Sequence, residues 1–202
     1  MSEAAQLLKR AASIFDQRGA PWALVGGWAV SIRTEPRFTR DLDVAVAVQT
    51  DDDAERYVAD FMASRFQVAA LVEQTATKRL ATVRLLPPHG HHPGLLLDLL
   101  FASSGIESEI CAAAERLAVF PDVIVPVARL EHLLAIKILA RDDESRPQDQ
   151  LDIRMLLRFM DEEQLSVVRH LLTVITVRGY HRGKDLHVEL NDFVRAADEV
   201  AT

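Results

Sequence analysis

The sequence predicts an α+β fold, a sheet with interspersed helices followed by a helical C-terminal part. Three observations carry this. Residues 41–48 alternate, with Leu or Val at every second position and Asp or Ala between them, as a strand with two different faces does. The short apolar run Trp22–Val25 stops at a glycine pair, which suits a buried strand. From about residue 106 onward the apolar residues recur mostly at helical spacing. Strands and helices mixed first and helices afterwards are the pattern of an α+β core with a helical extension.

Each element has its own signal. Ala4, Leu7, Leu8, Ala11, Ala12 and Phe15 recur at three- and four-residue spacing, so residues 3–18 form a helix that Gly19-Ala20-Pro21 ends. After the strand at 22–25, a second helical segment starts at Ala29 and gives way near Pro36 to a polar loop. In the alternating strand Leu42, Val44, Val46 and Val48 share one face, and Asp41, Asp43, Ala45 and Ala47 share the other. The stretch Asp51, Asp52, Asp53 is expected to cap a helix at 54–64. Strands are predicted at 66–72, 79–86 and 95–101, the last two as an antiparallel hairpin across the turn-rich stretch 87–94. Helical spacing then covers 107–118, 130–141, 148–160, 162–176 and about 187–200. No repeat or low-complexity linker separates the parts. Two closely packed units are expected, 1–125 and 126–202, with the boundary near Pro121–Pro126.

Composition narrows the class. The 202 residues are 49% apolar and carry a net charge of −7, enough for one domain or two small ones with an ordinary core. No run of about 18 apolar residues exists, so no transmembrane helix and no membrane partner are expected. The N-terminus has dispersed charges and no apolar stretch of the signal-peptide kind. The single cysteine, Cys111, suits a reducing compartment, so a cytoplasmic protein is expected. The acidic balance speaks against a nucleic-acid partner only until it is mapped. Stretches 33–40, 78–84 and 178–184 carry +2, +3 and +3, which leaves −15 on the rest. Such clusters either gather at an anion site or are separate solvated surfaces.

The chemistry concentrates at Gly26-Gly27 and Asp41-Leu42-Asp43. Two aspartates at i and i+2 of a strand project from the same face, and their mutual repulsion calls for a counter-charge, naturally a divalent cation. Paired glycines before a helix start let backbone N–H groups approach phosphate oxygens. Asp98 interrupts Leu95–Phe101; an aspartate inside an apolar strand is costly unless it is paired, metal-bound or at a wet strand end. Lys137 lies among Leu133, Leu134, Ile136 and Ile138, and either snorkels to water or serves a buried anion.

Taken together, Gly26-Gly27-Trp28-Ala29 and then Arg37-Phe38-Thr39-Arg40-Asp41-Leu42-Asp43 resemble the signature of the nucleotidyltransferase superfamily. More narrowly, the chain is similar to the AbiEii and MenT-type nucleotidyltransferase toxins of bacterial toxin–antitoxin systems. The stretch from Leu130 to Lys137, Ala140-Arg141, and Asp149 with Asp152 resembles that family's lysine helix and following aspartate motif, so the likeness spans roughly 20–160. The resemblance implies a polymerase-β-like mixed sheet that carries the aspartate pair, with a helical C-terminal part completing the site.

The resemblance also implies roles. Asp41 and Asp43 would hold Mg²⁺, and Asp98 would be a third ligand or the base for the attacking hydroxyl. Gly26, Gly27, Arg37 and Thr39 would bind the nucleotide, and Lys137 would contact the triphosphate. Asp152 would orient Lys137 or bind the acceptor. Asp149 is its neighbour one turn back, and one of the two could be a mere exposed helix charge. Gln148 stands where the family often has a basic residue, which weakens the anion affinity expected there. The implied activity is transfer of NMP from NTP to RNA, at the tRNA 3′ acceptor end, with a cognate antitoxin as partner. Two alternatives remain: the same chemistry on a small antibiotic, or a non-catalytic NTP-binding, antitoxin-like module.

Other signals carry less. His89, His91 and His92 sit in a Pro/Gly turn without matching acids, and structural metal binding is not expected of them. Cys111 reads as a small core residue, and Ser103-Ser104-Gly105 lacks a histidine partner for nucleophilic catalysis. The basic stretch 178–184, with Tyr180, reads equally as an RNA contact or a solvated loop.

Overall fold

The computed structural model describes residues 2–75, 77–88, 94–142 and 147–201. Its elements in chain order are α1 (Glu3–Arg18), β1 (Trp22–Val25), α2 (Gly26–Arg33), β2 (Leu42–Val46), α3 (Asp51–Ala63), β3 (Gln67–Glu73), β4 (Leu80–Leu86) and β5 (Leu97–Leu100). Then come α4 (Glu107–Ala113), β6 (Glu115–Phe120), β7 (Val123–Val127), α5 (Leu130–Ala140), α6 (Pro147–Leu157), α7 (Glu162–Val177) and α8 (Leu186–Ala201).

The strands form one seven-stranded sheet in the order β3-β4-β5-β2-β1-β7-β6. It is mixed: β2 runs parallel to β5 and β1 parallel to β7, while the remaining neighbours are antiparallel. The alternation in β2 is realised as read, with Leu42, Val44 and Val46 fully buried and Asp43 on the opposite face. β4 and β5 pair antiparallel as expected, while 89–93, with His89, His91 and His92, lie outside the described residues.

Helix ends follow ordinary capping chemistry. Ser2 caps α1, and Gly19 ends it in the left-handed region at φ 66°. Thr50, not an aspartate, is the N-cap of α3. Asp53 closes a reciprocal capping box with it, so the helix begins at Asp51, earlier than expected. α1 lays Leu7, Leu8 and Phe15 into the core, where the Phe15 ring stacks on Trp22 at 5.0 Å.

The helical reading of 107–118 needs correction. α4 ends at Ala113, and residues 115–127 form the hairpin β6–β7 instead. Val123, Ile124, Val125 and Val127 are β-branched, and Asp122 turns the hairpin at φ 64°. The expected boundary at 125/126 falls inside β7, which joins the sheet beside β1. α5 is apolar nearly all round, with Leu133, Leu134, Ala135, Ile138 and Leu139 buried, and it packs against α2, α6, α7 and α8. That central position sets Lys137 against Asp149 and Asp152 of α6.

Candidate functional site

A cleft of about 800 Å³ opens over the polar face of β2. Its walls include Gly26, Gly27, Arg37, Thr39, Asp41 and Asp43 from the first part of the chain, and Lys137 and Asp149 from α5 and α6.

Gly26 shows why the turn from β1 into α2 needs glycine. Its φ is +63°, and a Cβ there would lie 1.9 Å from Asp43 Oδ2. At Gly27 a Cβ would meet both Arg37 Nη2 and Thr39 Oγ1 at 2.6 Å. The glycine pair is therefore the floor on which Asp43, Arg37 and Thr39 rest. It begins α2, whose first N–H groups have no side-chain cap. Ser31 steadies the following loop by donating to Gly27 O at 3.0 Å and accepting from the Arg37 amide at 3.3 Å.

Asp43 pairs with Val25 across β1 and with Asp98 across β5, and Asp98 pairs in turn with Arg84 across β4. Arg84 grips Asp98 with both arms: Nε donates to Oδ1 at 2.9 Å and Nη2 to Oδ2 at 2.7 Å. That contact pushes the Arg84 guanidinium further into its charged form. Burial first, and the neighbouring Asp98 charge second, push the Asp41 carboxyl above the usual carboxylate range. Among the described residues no three His, Cys, Asp or Glu side chains converge in a group able to hold a metal ion. The expected trio of Asp41, Asp43 and Asp98 thus shares one cleft, with Asp98 already occupied.

Asp152 is fully buried between two cations. Arg37 approaches it with Nε at 2.6 Å from Oδ1 and donates from Nη2 to Oδ2 at 2.7 Å, and Lys137 Nζ lies 2.8 Å from Oδ2. Lys137 also donates to Asp149 Oδ1 at 2.6 Å. Both aspartates are buried, so neither is a mere exposed helix charge. The network ties the loop before β2 to α5 and α6, and a buried carboxylate demands such partners.

Arg84 and Glu107 line the cleft without belonging to the set of site residues expected from the sequence. In the sequence Arg84 is one charge of the 78–84 stretch, and only the pairing of β4 with β5 sets it opposite Asp98. Glu107 had no signal. Its carboxylate accepts from the amides of Ser103, Ser104 and Gly105 and from Ser104 Oγ, while burial pushes its carboxyl up. Ser103-Ser104-Gly105 is thereby a structural ring, not a nucleophile.

The stretch 178–184 is largely tied down. Arg178 donates to Gly105 O and pairs with Glu109, Arg182 reaches Ser103 O at 3.1 Å, and Lys184 holds the carbonyls of Leu139 and Arg141 at the end of α5. Each basic stretch still contributes to the cleft: Arg37 and Arg40, Arg84, and Arg182. Cys111 packs against the core, with burial pushing its thiol up to about 12.

Solved structures share this fold. An antigenic nucleotidyltransferase-like protein from Paracoccidioides brasiliensis superposes with a TM-score of 0.54 at 21% identity, over 94% of this chain and 92% of that one. ANT(2'')-Ia, solved in complex with adenylyl-2''-tobramycin, also gives 0.54, at 15% identity over 87% of this chain and 98% of that one. These define a nucleotidyltransferase fold. No curated protein gives a significant match. The profile of the family described as "Nucleotidyl transferase AbiEii toxin, Type IV TA system" matches residues 6–201, and the chain belongs to that family. The protein is a nucleotidyltransferase of the toxin–antitoxin class. No helix among the described residues is long and apolar enough to cross a membrane.

Proposed function

We propose that the protein moves a nucleoside monophosphate from an NTP to a hydroxyl of RNA, the 3′ acceptor end of tRNA, and so blocks translation. The observation that carries this reading is the convergence on one cleft of the Gly26-Gly27 turn, the Asp41/Asp43 face and Lys137, from separate stretches of a toxin-family chain. Such a toxin acts in the cytoplasm, with a cognate antitoxin as its protein partner.

Asp41 and Asp43 fit a hard divalent cation, Mg²⁺: two carboxylates on one strand face, with Asp41 held where its own negative charge is disfavoured. When bound, the metal supplies polarisation of the α-phosphate and charge neutralisation at the leaving pyrophosphate. The chain does the rest by positioning. The amides at the start of α2 face the phosphates, and Gly26 and Gly27 allow that approach. Arg37 and Thr39 border the same floor. Asp149 and Asp152 orient Lys137 and leave an ammonium N–H for a phosphate oxygen. The acceptor oxygen attacks the α-phosphorus as its proton passes to water; that P–O bond forms while the bond to pyrophosphate breaks. In this reading the helical part that follows β7 completes the core, because Lys137, Asp149 and Asp152 enter from it.

An RNA acceptor is supported by Phe38, 81% exposed in the loop before Asp41, with the Arg40 guanidinium 5.7 Å from its ring centroid. An exposed aromatic with an arginine beside a basic-rimmed cleft suits a stacked base. A cationic antibiotic needs open acidic groups, whereas Asp98, Glu107 and Asp149 are already engaged. The test incubates the protein with total RNA, or with tobramycin or lincomycin, and each α-labelled NTP in turn. Label in a tRNA-sized band supports the reading. Label on a drug, with expressing cells made resistant, supports the small-molecule alternative instead.

A further inference from the structure

Arg84, Asp98 and Asp43 stand in one cross-strand row over β4, β5 and β2. The Asp98 carboxylate is nearly buried, at 7% exposure, and both of its oxygens take hydrogen bonds from the Arg84 fork. A guanidinium in this bidentate grip takes one lone pair on each oxygen and neutralises the charge that would draw a metal ion. The Arg84 side chain is 41% exposed and lines the cleft, so the cation stands at the open side of the row. Its positive charge also lies close enough to Asp41 and Asp43 to be felt by both.

We propose that Arg84 is a positioning residue that withholds Asp98 from the metal, so that the cation is held by two carboxylates, Asp41 and Asp43, instead of three. The inference rests on the metal-dependent reading above and departs from its three-carboxylate form. The consequence is electrostatic. With Asp98 neutralised by Arg84, the row presents the charge of the Asp41/Asp43 pair alone, and a metal bound there is held less tightly than by three free carboxylates. Such a site fills mainly when NTP phosphates complete the coordination. Asp98 acts through Arg84, by fixing the guanidinium beside the pair.

The test is Mn²⁺ binding to the nucleotide-free protein, read from the electron paramagnetic resonance signal of free Mn²⁺, with thermal melts to verify folding. Four proteins are compared: wild type, Asp43→Asn, Arg84→Gln, and the double variant Arg84→Gln/Asp98→Asn. The double variant removes one charge of each sign and keeps the side-chain shapes close. It is expected to bind Mn²⁺ within about threefold of wild type, because the withheld carboxylate contributes no ligand. Arg84→Gln alone frees Asp98 and is expected to tighten Mn²⁺ binding by about tenfold. A tenfold or greater loss in the double variant makes Asp98 a ligand and overturns the proposal. Unchanged or weaker binding in Arg84→Gln overturns it too, since a merely structural ion pair would behave so. Asp43→Asn separates the levels: if it leaves Mn²⁺ affinity intact, the metal reading of the cleft itself fails.

Discussion

Gly26 and Asp43 are in such close contact that the smallest side chain at position 26 would occupy the space of the Asp43 carboxylate. The turn into α2 and the strand that carries Asp43 are thus fitted to each other, and glycine is required twice over, for space and for a φ of +63°.

Gly26→Ala is therefore predicted to act on both stability and activity. The left-handed backbone costs about 1–2 kcal/mol. Displacement of Asp43 lowers transfer by on the order of 10²-fold, the loss typical of a misplaced reacting group. Thermal melts and initial rates check the two effects separately.

The buried charge network gives a second prediction. Asp152→Ala leaves Arg37 without its carboxylate and Lys137 with Asp149 alone, and costs roughly 3–5 kcal/mol in denaturant unfolding. Arg37→Lys keeps the charge but loses the fork. It should fold and raise the KM for NTP more than it lowers kcat; an unchanged KM would detach Arg37 from the nucleotide.

A third prediction concerns acid stability. Burial holds the His132 imidazole below its ordinary value of 6.5. The unfolded chain then binds the proton more readily than the folded one, so this contribution to stability is present above pH 6.5 and is lost as pH falls toward the folded value. His132→Gln should flatten the fall in melting temperature between about pH 6.5 and 5.

Cys111 provides a fourth. With its thiol pushed up to about 12, it should react slowly with Ellman's reagent at pH 8 in the native protein and rapidly after unfolding. Fast native labelling would contradict its packing against the core.

Much of this was legible from local pattern. Alternation in Asp41–Val48 placed Asp41 and Asp43 on one face, and the apolar neighbours of Lys137 left it to snorkel or to serve a buried anion, of which the structure shows the second. What escaped depended on pairing across distance. The β6–β7 hairpin was hidden because residues 114–118 continue a helical spacing that only the sheet edge beside β1 overrides. Arg84 stood in the sequence as one charge of a basic stretch, and only the register of β4 on β5 sets it against Asp98. Likewise, Arg178 and Lys184 resemble an RNA-binding patch until the carbonyls they hold are seen.

Nucleotidyl transfer to RNA is the activity proposed for the Asp41/Asp43 face. Its most direct test is single-turnover transfer of label from an α-labelled NTP to tRNA, for wild type and Asp43→Asn with matched melting curves. Label is expected at the tRNA 3′ end with wild type, and a loss on the order of 10³-fold or more in the variant. Full transfer by a folded Asp43→Asn protein would contradict it.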